Sequence, residues 1–279
     1  MNDKAASPKP EVLSVELSGV PETMLWPLWH RAAETRRRDR LIDDPMAADL
    51  VARIDYDFAG SFGRPNVAHP IRARVCDDLI RGYLKRAEGD AVVVALGDGL
   101  ETQLWRIGAD SARWFSVDLP EAIEVRRRLL PAHPRATLVE GSALDPAWMD
   151  LLPEGTAPFI SAAGLLMYFE EKEAAALLSR IAERFPGAEI FFDTIPPVFS
   201  RKTLKGFKVT KRYTAPPMPW GIRIDELPRF LEDRCGLEVV SLQTYLDPFP
   251  LRTRLYRWML PAGFLRRCLA PGLVHARAG

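Results

Sequence analysis

AVVVALGDGLE, at residues 91–101, is the stretch that decides the fold, and a second apolar run at 114–117 ends in Asp118. The first run is short and rich in β-branched valine, which predicts a strand buried on both faces of a parallel sheet. Gly97 and Gly99 allow a sharp turn and a close approach of a ligand to the backbone. A strand, a Gly-x-Gly turn and an acid after the next strand predict the first βαβ unit of a doubly wound, Rossmann-like sheet that binds a nucleoside.

The residues after this turn indicate which nucleoside cofactor the site takes. A dinucleotide site needs a third glycine where the helix packs against the strand, but Thr102 occupies that position. Glu101 adds an acid in the first helical turn, where it would repel a pyrophosphate. S-adenosylmethionine carries a sulfonium cation and no phosphate, so it fits an acidic turn, with Asp118 accepting hydrogen bonds from the ribose hydroxyls. The alternative is a tight turn and a strand-end acid in an α/β fold that binds no cofactor.

The composition is that of an ordinary globular protein, with 279 residues of which 47% are hydrophobic and 27% charged. A net charge of +1 gives no indication of a nucleic-acid partner, and acids interrupt the basic segment Arg31–Arg40, as in a solvated helix face. The three cysteines and four histidines show neither disulfide nor metal-ligand spacing, so we expect no metal site and a reduced, cytoplasmic protein. No apolar run reaches the ~18 residues of a membrane span.

The chain is predicted to consist of a disordered tail at 1–12, a helical cap at 13–88 and an α/β core at 89–279, with a substrate lid inserted at 200–225. Helices are expected at Pro21–Arg38, Asp43–Arg53, Pro70–Arg86, Glu121–Leu130 and Glu171–Phe185, with a loop at Asp55–Asn66. Further strands are expected at Thr137–Val139, Phe159–Ala163, Glu189–Asp193, Leu237–Leu242 and Arg252–Trp258. Because only a short loop joins the last two strands, they are expected to form an antiparallel hairpin at the end of a mainly parallel sheet. By analogy, this is the outline of class I methyltransferases.

The segment at 200–225 is basic at first and then dense in proline. It follows the fifth strand, beyond the carboxyl edge of the sheet, where loops cover the ligand crevice. We therefore expect a substrate lid lined by Tyr213, Met218 and Trp220. The alternative is a packed surface excursion without a role in ligand binding.

An ordered set of sequence elements resembles the leucine carboxyl methyltransferase superfamily, and most closely its bacterial branch of tetracenomycin-type polyketide O-methyltransferases. The elements are RARVCD at 72–77, ALGDGLETQLWR at 95–106, VDLPEAIEVRRRLLP at 117–131, GSALDPAW at 141–148, AAGLLMYF at 162–169 and YTAPPMPWG at 213–221. The resemblance implies a class I fold, S-adenosylmethionine as cofactor, and methylation of a carboxylate or hydroxyl oxygen of a small molecule.

The resemblance also implies roles for individual residues. Arg72 matches the arginine that binds the methionine carboxylate of the cofactor, and Tyr168 faces the transferred methyl group. The other cofactor-binding positions implied are Arg31, Gly97, Asp98, Gly99, Asp118, Leu119, Ser142, Ala143 and Ala163. Two of them depart from the family pattern, which often has Glu where this chain has Ala163 and Asp where it has Ser142.

The sequence contains no unambiguous general base. His30 and His69 are candidates, each with a purely structural role as the alternative. A carboxylate acceptor is already ionised and needs no base, so this absence favours a carboxylate. Two other functions stay open: a non-catalytic binding module, and an NAD(P)-dependent oxidoreductase, against which the missing third glycine argues.

Overall fold

The computed structural model describes residues 13–14, 17–87, 91–259, 265 and 268–279, so the predicted tail at 1–12 lies outside the described residues. The strands are β1 Leu13–Ser14, β2 Ile54–Asp55, β3 Val92–Leu96, β4 Arg113–Asp118, β5 Ala136–Glu140, β6 Phe159–Ala162, β7 Glu189–Thr194, β8 Leu237–Thr244 and β9 Gly272–Ala278. The α-helices are α1 Leu25–Thr35, α2 Pro45–Arg53, α3 Phe58–Phe62, α4 Ala68–Arg86, α5 Gln103–Ile107, α6 Pro120–Leu129, α7 Glu171–Arg184, α8 Pro197–Leu204, α9 Leu227–Cys235 and α10 Arg254–Met259. Short 3-10 helices lie at Pro21–Met24, Pro146–Leu151 and Leu166–Tyr168.

Seven strands form one sheet in the order β5-β4-β3-β6-β7-β9-β8. Neighbours from β5 to β7 are parallel, whereas β9 is antiparallel to both β7 and β8. Strand β3 lies inside the sheet between β4 and β6, and all five of its residues are buried, as the valine-rich run predicts. The Gly-x-Gly turn therefore leaves the carboxyl edge of the sheet where the strand order reverses, which is the usual ligand position in this kind of fold.

The predicted strand at Arg252–Trp258 is wrong, because helix α10 lies there and the antiparallel partner of β8 is β9. The spacing of Leu251, Leu255 and Trp258 is that of a helix, and the prediction of a strand did not take it into account. The antiparallel end of the sheet is confirmed, but residues 245–271 rather than a short loop connect its two strands.

The predicted loop at Asp55–Asn66 also contains regular structure. Its first residue ends β2, and helix α3 follows at Phe58–Phe62. The side chain of Asp57 caps this helix by accepting a hydrogen bond from the Gly60 amide at 2.9 Å. Asp57 is therefore the N-cap that predicts this helix, although the glycine and aromatic content of the segment favoured a loop.

Helices α1, α2 and α3 pack together over the carboxyl edge of the sheet. Their buried residues, including Leu28 and Leu50, belong to one hydrophobic cluster with Leu100 beside the glycine turn and Leu129 of α6. The N-terminal helices thus cover the turn, so they form one wall of any site built there. Among the described residues, no helix is long and apolar enough to cross a membrane.

Glu189, at the start of β7, links pH to stability. Its carboxylate lies 2.9 Å from His275 Nε2 and 2.5 Å from Arg86 Nη2, and these contacts, the one with His275 foremost, lower the pKa of Glu189 to about 2. An acid with a lowered folded-state pKa stabilises the fold above its unfolded pKa of about 4.3 and loses that contribution as the pH falls towards 2. In urea titrations we expect Glu189→Gln to lower the free energy of unfolding at pH 6, by an amount that shrinks below about pH 4.

The exposed Glu232 provides the control for this experiment. Glu232→Gln should change the free energy of unfolding by less than about 0.5 kcal/mol at either pH. A loss in Glu189→Gln that is equally large at pH 6 and pH 3 would contradict the assigned ionisation.

Candidate active site

The Gly-x-Gly turn after β3 has the backbone conformation that only glycine adopts easily. Gly97 and Gly99 have φ angles of +64° and +45°. Arg126 of α6 fixes the turn, because its Nη1 donates hydrogen bonds to the Gly99 and Glu101 carbonyls, each at 2.8 Å. Its Nη2 pairs with the Asp98 carboxylate at 2.8 Å. The turn is therefore fixed by a buried arginine rather than by a third glycine.

Asp98 lines the cavity beside the turn, but its carboxylate serves the protein's own structure. Besides Arg126, it accepts a hydrogen bond from Ser116 Oγ at 2.5 Å. Burial raises the pKa of Asp98 to about 6, against the lowering effects of Arg126 and Ser116. These contacts hold Asp98 in the turn, and its contact with a cofactor stays a prediction.

Arg31 also lines the cavity, yet its guanidinium is committed to other protein groups. It donates to the Leu100 carbonyl at 2.7 Å and pairs with Asp44 at 2.9 Å and Glu101 at 3.0 Å. Only 2% of its side chain is exposed. Arg31 therefore anchors the glycine turn to α1 and α2, whereas the sequence analysis expected it to contact the cofactor.

The same contacts correct the argument built on Glu101. Its carboxylate pairs with both Arg31 and Arg106, the latter at 2.6 Å, and these cations hold its pKa below the ordinary value in spite of burial. The acid is thus ion-paired within the protein rather than free, so Glu101 alone is a weaker argument against a pyrophosphate than the sequence indicates. The missing third glycine, where this chain has Thr102, still argues against a dinucleotide site.

Asp118 lies at the end of β4 and faces the glycine turn, as predicted. Its Oδ2 accepts from the Gly99 amide at 2.7 Å and its Oδ1 from the Leu119 amide at 2.8 Å. Burial raises the pKa of the carboxyl above its ordinary value, and the two amide hydrogen bonds oppose that shift. A carboxylate has about four lone-pair positions, so this one retains acceptors for two hydroxyls.

Arg72 of α4 reaches across the sheet edge to the end of β7. Its Nη1 pairs with Asp193 at 3.2 Å, and Asp193 also accepts hydrogen bonds from Tyr245 Oη at 2.7 Å and from the Gly164 amide at 2.5 Å. Burial alone would lower the pKa of Arg72, but Asp193 and Tyr245 hold it above the ordinary value, so the guanidinium stays charged. The guanidinium of Arg72 has five N–H donors, and the ion pair with Asp193 uses only part of them. Arg72 also lines the cavity, where the remaining donors can bind a ligand.

Sequence reasoning missed the residues that orient Arg72. A signal existed for Asp193, because an acid that ends a predicted parallel strand lies at the same edge as the glycine turn. Tyr245 and Gly164 carried no such signal, since nothing in the local pattern places them beside an arginine far away in the chain.

Gly164 leaves the space that the Arg72 side chain fills. A Cβ at this position would overlap the guanidinium, and the φ of +78° is itself strained for any other residue. We expect Gly164→Ala to weaken binding of S-adenosylhomocysteine at least tenfold, measured by calorimetric titration. Gly155→Ala is the matched control, because its φ of +69° is similar but no atom lies within 4 Å of its added Cβ. Equal affinities in the two variants would show that displacement of Arg72 is irrelevant to binding.

A cavity of about 610 Å³ extends from the glycine turn to the N-terminal helices, and this volume is in the range of small-molecule sites. The predicted site residues that line it are Arg31, Arg72, Gly97, Asp98, Gly99, Asp118, Leu119, Ala163, Tyr168 and Met218. Four other predicted residues lie outside the described lining: Ser142, Ala143, Tyr213 and Trp220.

Local packing explains why Ser142 and Ala143 lie outside the cavity. The Ser142 hydroxyl accepts a hydrogen bond from the Leu144 amide at 3.1 Å and so closes its own turn. Ala143 is buried in the core, and its carbonyl accepts from Trp148 Nε1 at 3.1 Å. On this side of the turn the cavity is instead lined by Leu119 and by Ala122 of α6.

Of the three predicted lid residues, only Met218 reaches the cavity. Trp220 lies in the core, with its ring 5.4 Å from Phe230. Tyr213 packs edge-on against Phe62 of α3 at 4.9 Å. Both aromatic side chains thus pack the segment at 200–225 against its neighbours, whereas they were expected to contact a substrate.

The far end of the cavity is apolar and aromatic. Its lining here comes from α1, from the segment after β6, from the end of β7 and α8, and from the inserted segment: Trp26, Met167, Tyr168, Ile195, Phe199 and Met218. Burial raises the pKa of the Tyr168 phenol above its ordinary value. Tyr168 is therefore a neutral hydroxyl at neutral pH, able to position a substrate but not to deprotonate one.

These geometric features agree with the comparisons to known proteins. A protein from Thermobifida fusca YX, provisionally assigned as a methyltransferase, superposes with a TM-score of 0.53 at 15% identity, covering 89% of this chain and 94% of that chain. The likeness shows the fold, and the fold is that of a class I methyltransferase.

The family follows from sequence similarity. Residues 25–182 match the family model of leucine carboxyl methyltransferase. Tetracenomycin polyketide synthesis O-methyltransferase TcmP from Streptomyces glaucescens is 32% identical over 243 residues, which cover 85% of this chain and 87% of that protein. The S-adenosyl-L-methionine-dependent methyltransferase dpfgK from Gibberella zeae is 29% identical over 64% of this chain and 67% of that protein. The chain belongs to the leucine carboxyl methyltransferase family, and the predicted fold class, S-adenosylmethionine dependence and O-methyltransferase activity are confirmed.

The described residues fit this cofactor. Its nucleoside hydroxyls match the free acceptor positions of Asp118, and its amino-acid carboxylate matches the remaining donors of Arg72. The space left by the missing Cβ of Gly164 is what allows Arg72 to take that place. The predicted roles of both residues stay predictions that the binding experiments below test.

Proposed function

We propose that this enzyme methylates a carboxylate oxygen of a small, largely apolar aromatic acceptor of the polyketide type. The observation that carries the proposal is the division of one cavity into a polar end, with Arg72 and Asp118, and an apolar aromatic end. The name of the relative TcmP, a polyketide O-methyltransferase, supports the same acceptor class. Because Cys76 and Cys235 are unpaired and buried, we also propose a reducing, cytoplasmic setting.

The chain's own residues contribute mainly alignment to this reaction. The sulfonium of the cofactor supplies an activated methyl group when it is bound. Arg72 and Asp118 hold the two ends of the cofactor, and the apolar wall with Tyr168 holds the acceptor while excluding water. Such positioning is worth effective molarities of about 10⁵–10⁸ M in favourable cases. A carboxylate is ionised at neutral pH, so the residues described need not remove a proton.

Calorimetric titration with S-adenosylhomocysteine, run in parallel with NAD(H), tests the cofactor half of the proposal. We expect micromolar binding of S-adenosylhomocysteine and none of NAD(H), with at least a tenfold weaker affinity in Asp118→Ala. Binding of NAD(H) alone would leave an oxidoreductase, and binding of neither would contradict the site.

Turnover with matched carboxylic and phenolic acceptors tests the other half. Methyl ester formation from aromatic carboxylic acids supports the proposal, and exclusive methylation of phenols overturns the choice of acceptor. Cofactor binding without turnover on any acceptor of these classes would favour a non-catalytic binding module.

A further inference from the structure

Three ring systems form a hydrogen-bonded chain beside the apolar end of the cavity. Trp26 Nε1 donates to His30 Nε2 at 3.1 Å, and His30 Nδ1 lies 2.8 Å from His69 Nδ1. Trp26 also packs edge-on against His69, with 5.7 Å between ring centroids. The chain joins helix α1 to the first turn of α4.

The chain determines where each histidine carries its proton. An indole nitrogen only donates, so His30 Nε2 must accept and the proton of a neutral His30 is on Nδ1. That proton points to His69 Nδ1, which must then accept, and the proton of a neutral His69 is on Nε2. Burial and the charge of Arg72 lower the pKa of His30 to about 4. The pKa of His69 is held well below its ordinary value by burial and by the neighbouring His30, Arg72 and Arg31. Both rings are therefore neutral at pH 7.

His69 lies where the acceptor would be held. It is three residues before Arg72 on α4, so the two side chains share one helix face about 4.5 Å apart along the axis. Both line the cavity, and Arg72 marks its cofactor end. His69 is next to Trp26 on the apolar side. Its ring bonds to His30 through Nδ1, and among the described residues its Nε2 has no hydrogen-bond partner.

We propose that His69 is a positioning residue whose Nε2–H donates a hydrogen bond to the acceptor carboxylate, with its tautomer set by Trp26 through His30. The proposal rests on the proposed function. One carboxylate oxygen forms the bond to the methyl carbon as the carbon–sulfur bond breaks and its electron pair stays on sulfur. No proton is released, so His69 keeps its proton throughout and is not a general base.

The tautomers are measured directly from ¹⁵N chemical shifts of histidine-labelled wild-type protein loaded with S-adenosylhomocysteine, with His30→Gln and His69→Gln used to assign the signals. We expect His69 to be protonated on Nε2 and His30 on Nδ1. Trp26→Phe removes the donor that enforces this order, so the His69 signals should move towards a mixture of tautomers. A wild-type His69 protonated on Nδ1, or charged at pH 7, would overturn the proposal.

Binding of 2-naphthoate and 2-naphthol to the loaded protein tests the contact itself. We expect wild type to prefer 2-naphthoate, and His69→Leu to weaken 2-naphthoate at least tenfold while changing 2-naphthol less than threefold. His69→Gln restores an amide N–H near the Nε2 position and should recover most of the affinity for 2-naphthoate. Equal losses for both probes, or no preference in wild type, would sink the inference.

The affinity for S-adenosylhomocysteine separates this inference from the proposed function. If all His69 variants bind S-adenosylhomocysteine like wild type but show no selective loss of 2-naphthoate, the role of His69 alone fails. If wild type itself does not bind S-adenosylhomocysteine, the proposed function fails.

Discussion

Arg72→Ala is expected to weaken binding of S-adenosylhomocysteine by at least tenfold. A hydrogen bond to a charged group is worth about 1.5–3 kcal/mol, which corresponds to roughly 10- to 150-fold in affinity. Arg72 is the charged donor at the polar end of the cavity, and Asp193 and Tyr245 already hold its guanidinium in place. Because no reordering is needed when the product binds, the full effect should be visible in calorimetric titration.

Two further variants make this result interpretable. Arg72→Lys keeps the charge but loses the planar fork, so it should bind with intermediate affinity. Arg229→Ala removes an arginine whose side chain is 89% exposed and should bind like wild type. If the affinity of Arg72→Ala stays within threefold of wild type, the assignment of the polar end is wrong.

Asp44→Ala is expected to lower the free energy of unfolding by about 3 kcal/mol, because it removes a helix cap and the acceptor of several buried donors, and a buried donor left without its acceptor costs about 1–3 kcal/mol. Asp44 is 1% exposed and pairs with Arg31 at 2.9 Å and Arg106 at 3.0 Å. It also accepts from Thr102 Oγ1 at 2.7 Å and caps α2 through the Ala47 amide at 3.0 Å. Burial would raise the pKa of Asp44, but the two guanidiniums hold it below its ordinary value.

Urea unfolding monitored by circular dichroism at pH 7 measures this loss. Asp49→Ala is the matched control on the same helix, because its ion pair with Arg53 is largely exposed and should contribute less than about 1 kcal/mol. If Asp44→Ala is no less stable than Asp49→Ala, the buried network contributes nothing to stability.

The elements that sequence reasoning predicted correctly are those with local signals. Strand β3, the glycine turn and Asp118 follow one another within a short stretch, and the local pattern of apolar residues, glycines and an acid is enough to predict them. Arg72 and Tyr168 came from the family resemblance, and the structure places both on the cavity wall.

The parts that it missed depend on contacts between distant segments. The clamp on the glycine turn joins Arg31 to Leu100 and Arg126 to Gly99, and no local pattern predicts such pairs. Strand β9 was missed for a related reason. It lies between β7 and β8 in the sheet, although both come earlier in the chain, and no local pattern predicts this position. Trp220 was misplaced because a lone aromatic residue in a proline-rich segment fits a lid and a core equally well.

Helix α1 connects both halves of the catalytic cavity, and this limits how the enzyme can be redesigned. Trp26 lines the apolar end of the cavity, while Arg31, five residues later on the same helix, holds the glycine turn. A change in α1 that moves the helix as a whole would therefore disturb both ends of the cavity. The segment 205–218 reaches the same cavity through Met218. It is held by Thr210 on the Gly60 and Ser61 carbonyls, by the ion pair of Arg212 with Asp57 and by the packing of Tyr213 against Phe62. Any exchange of this segment between relatives would therefore have to preserve its contacts with helix α3.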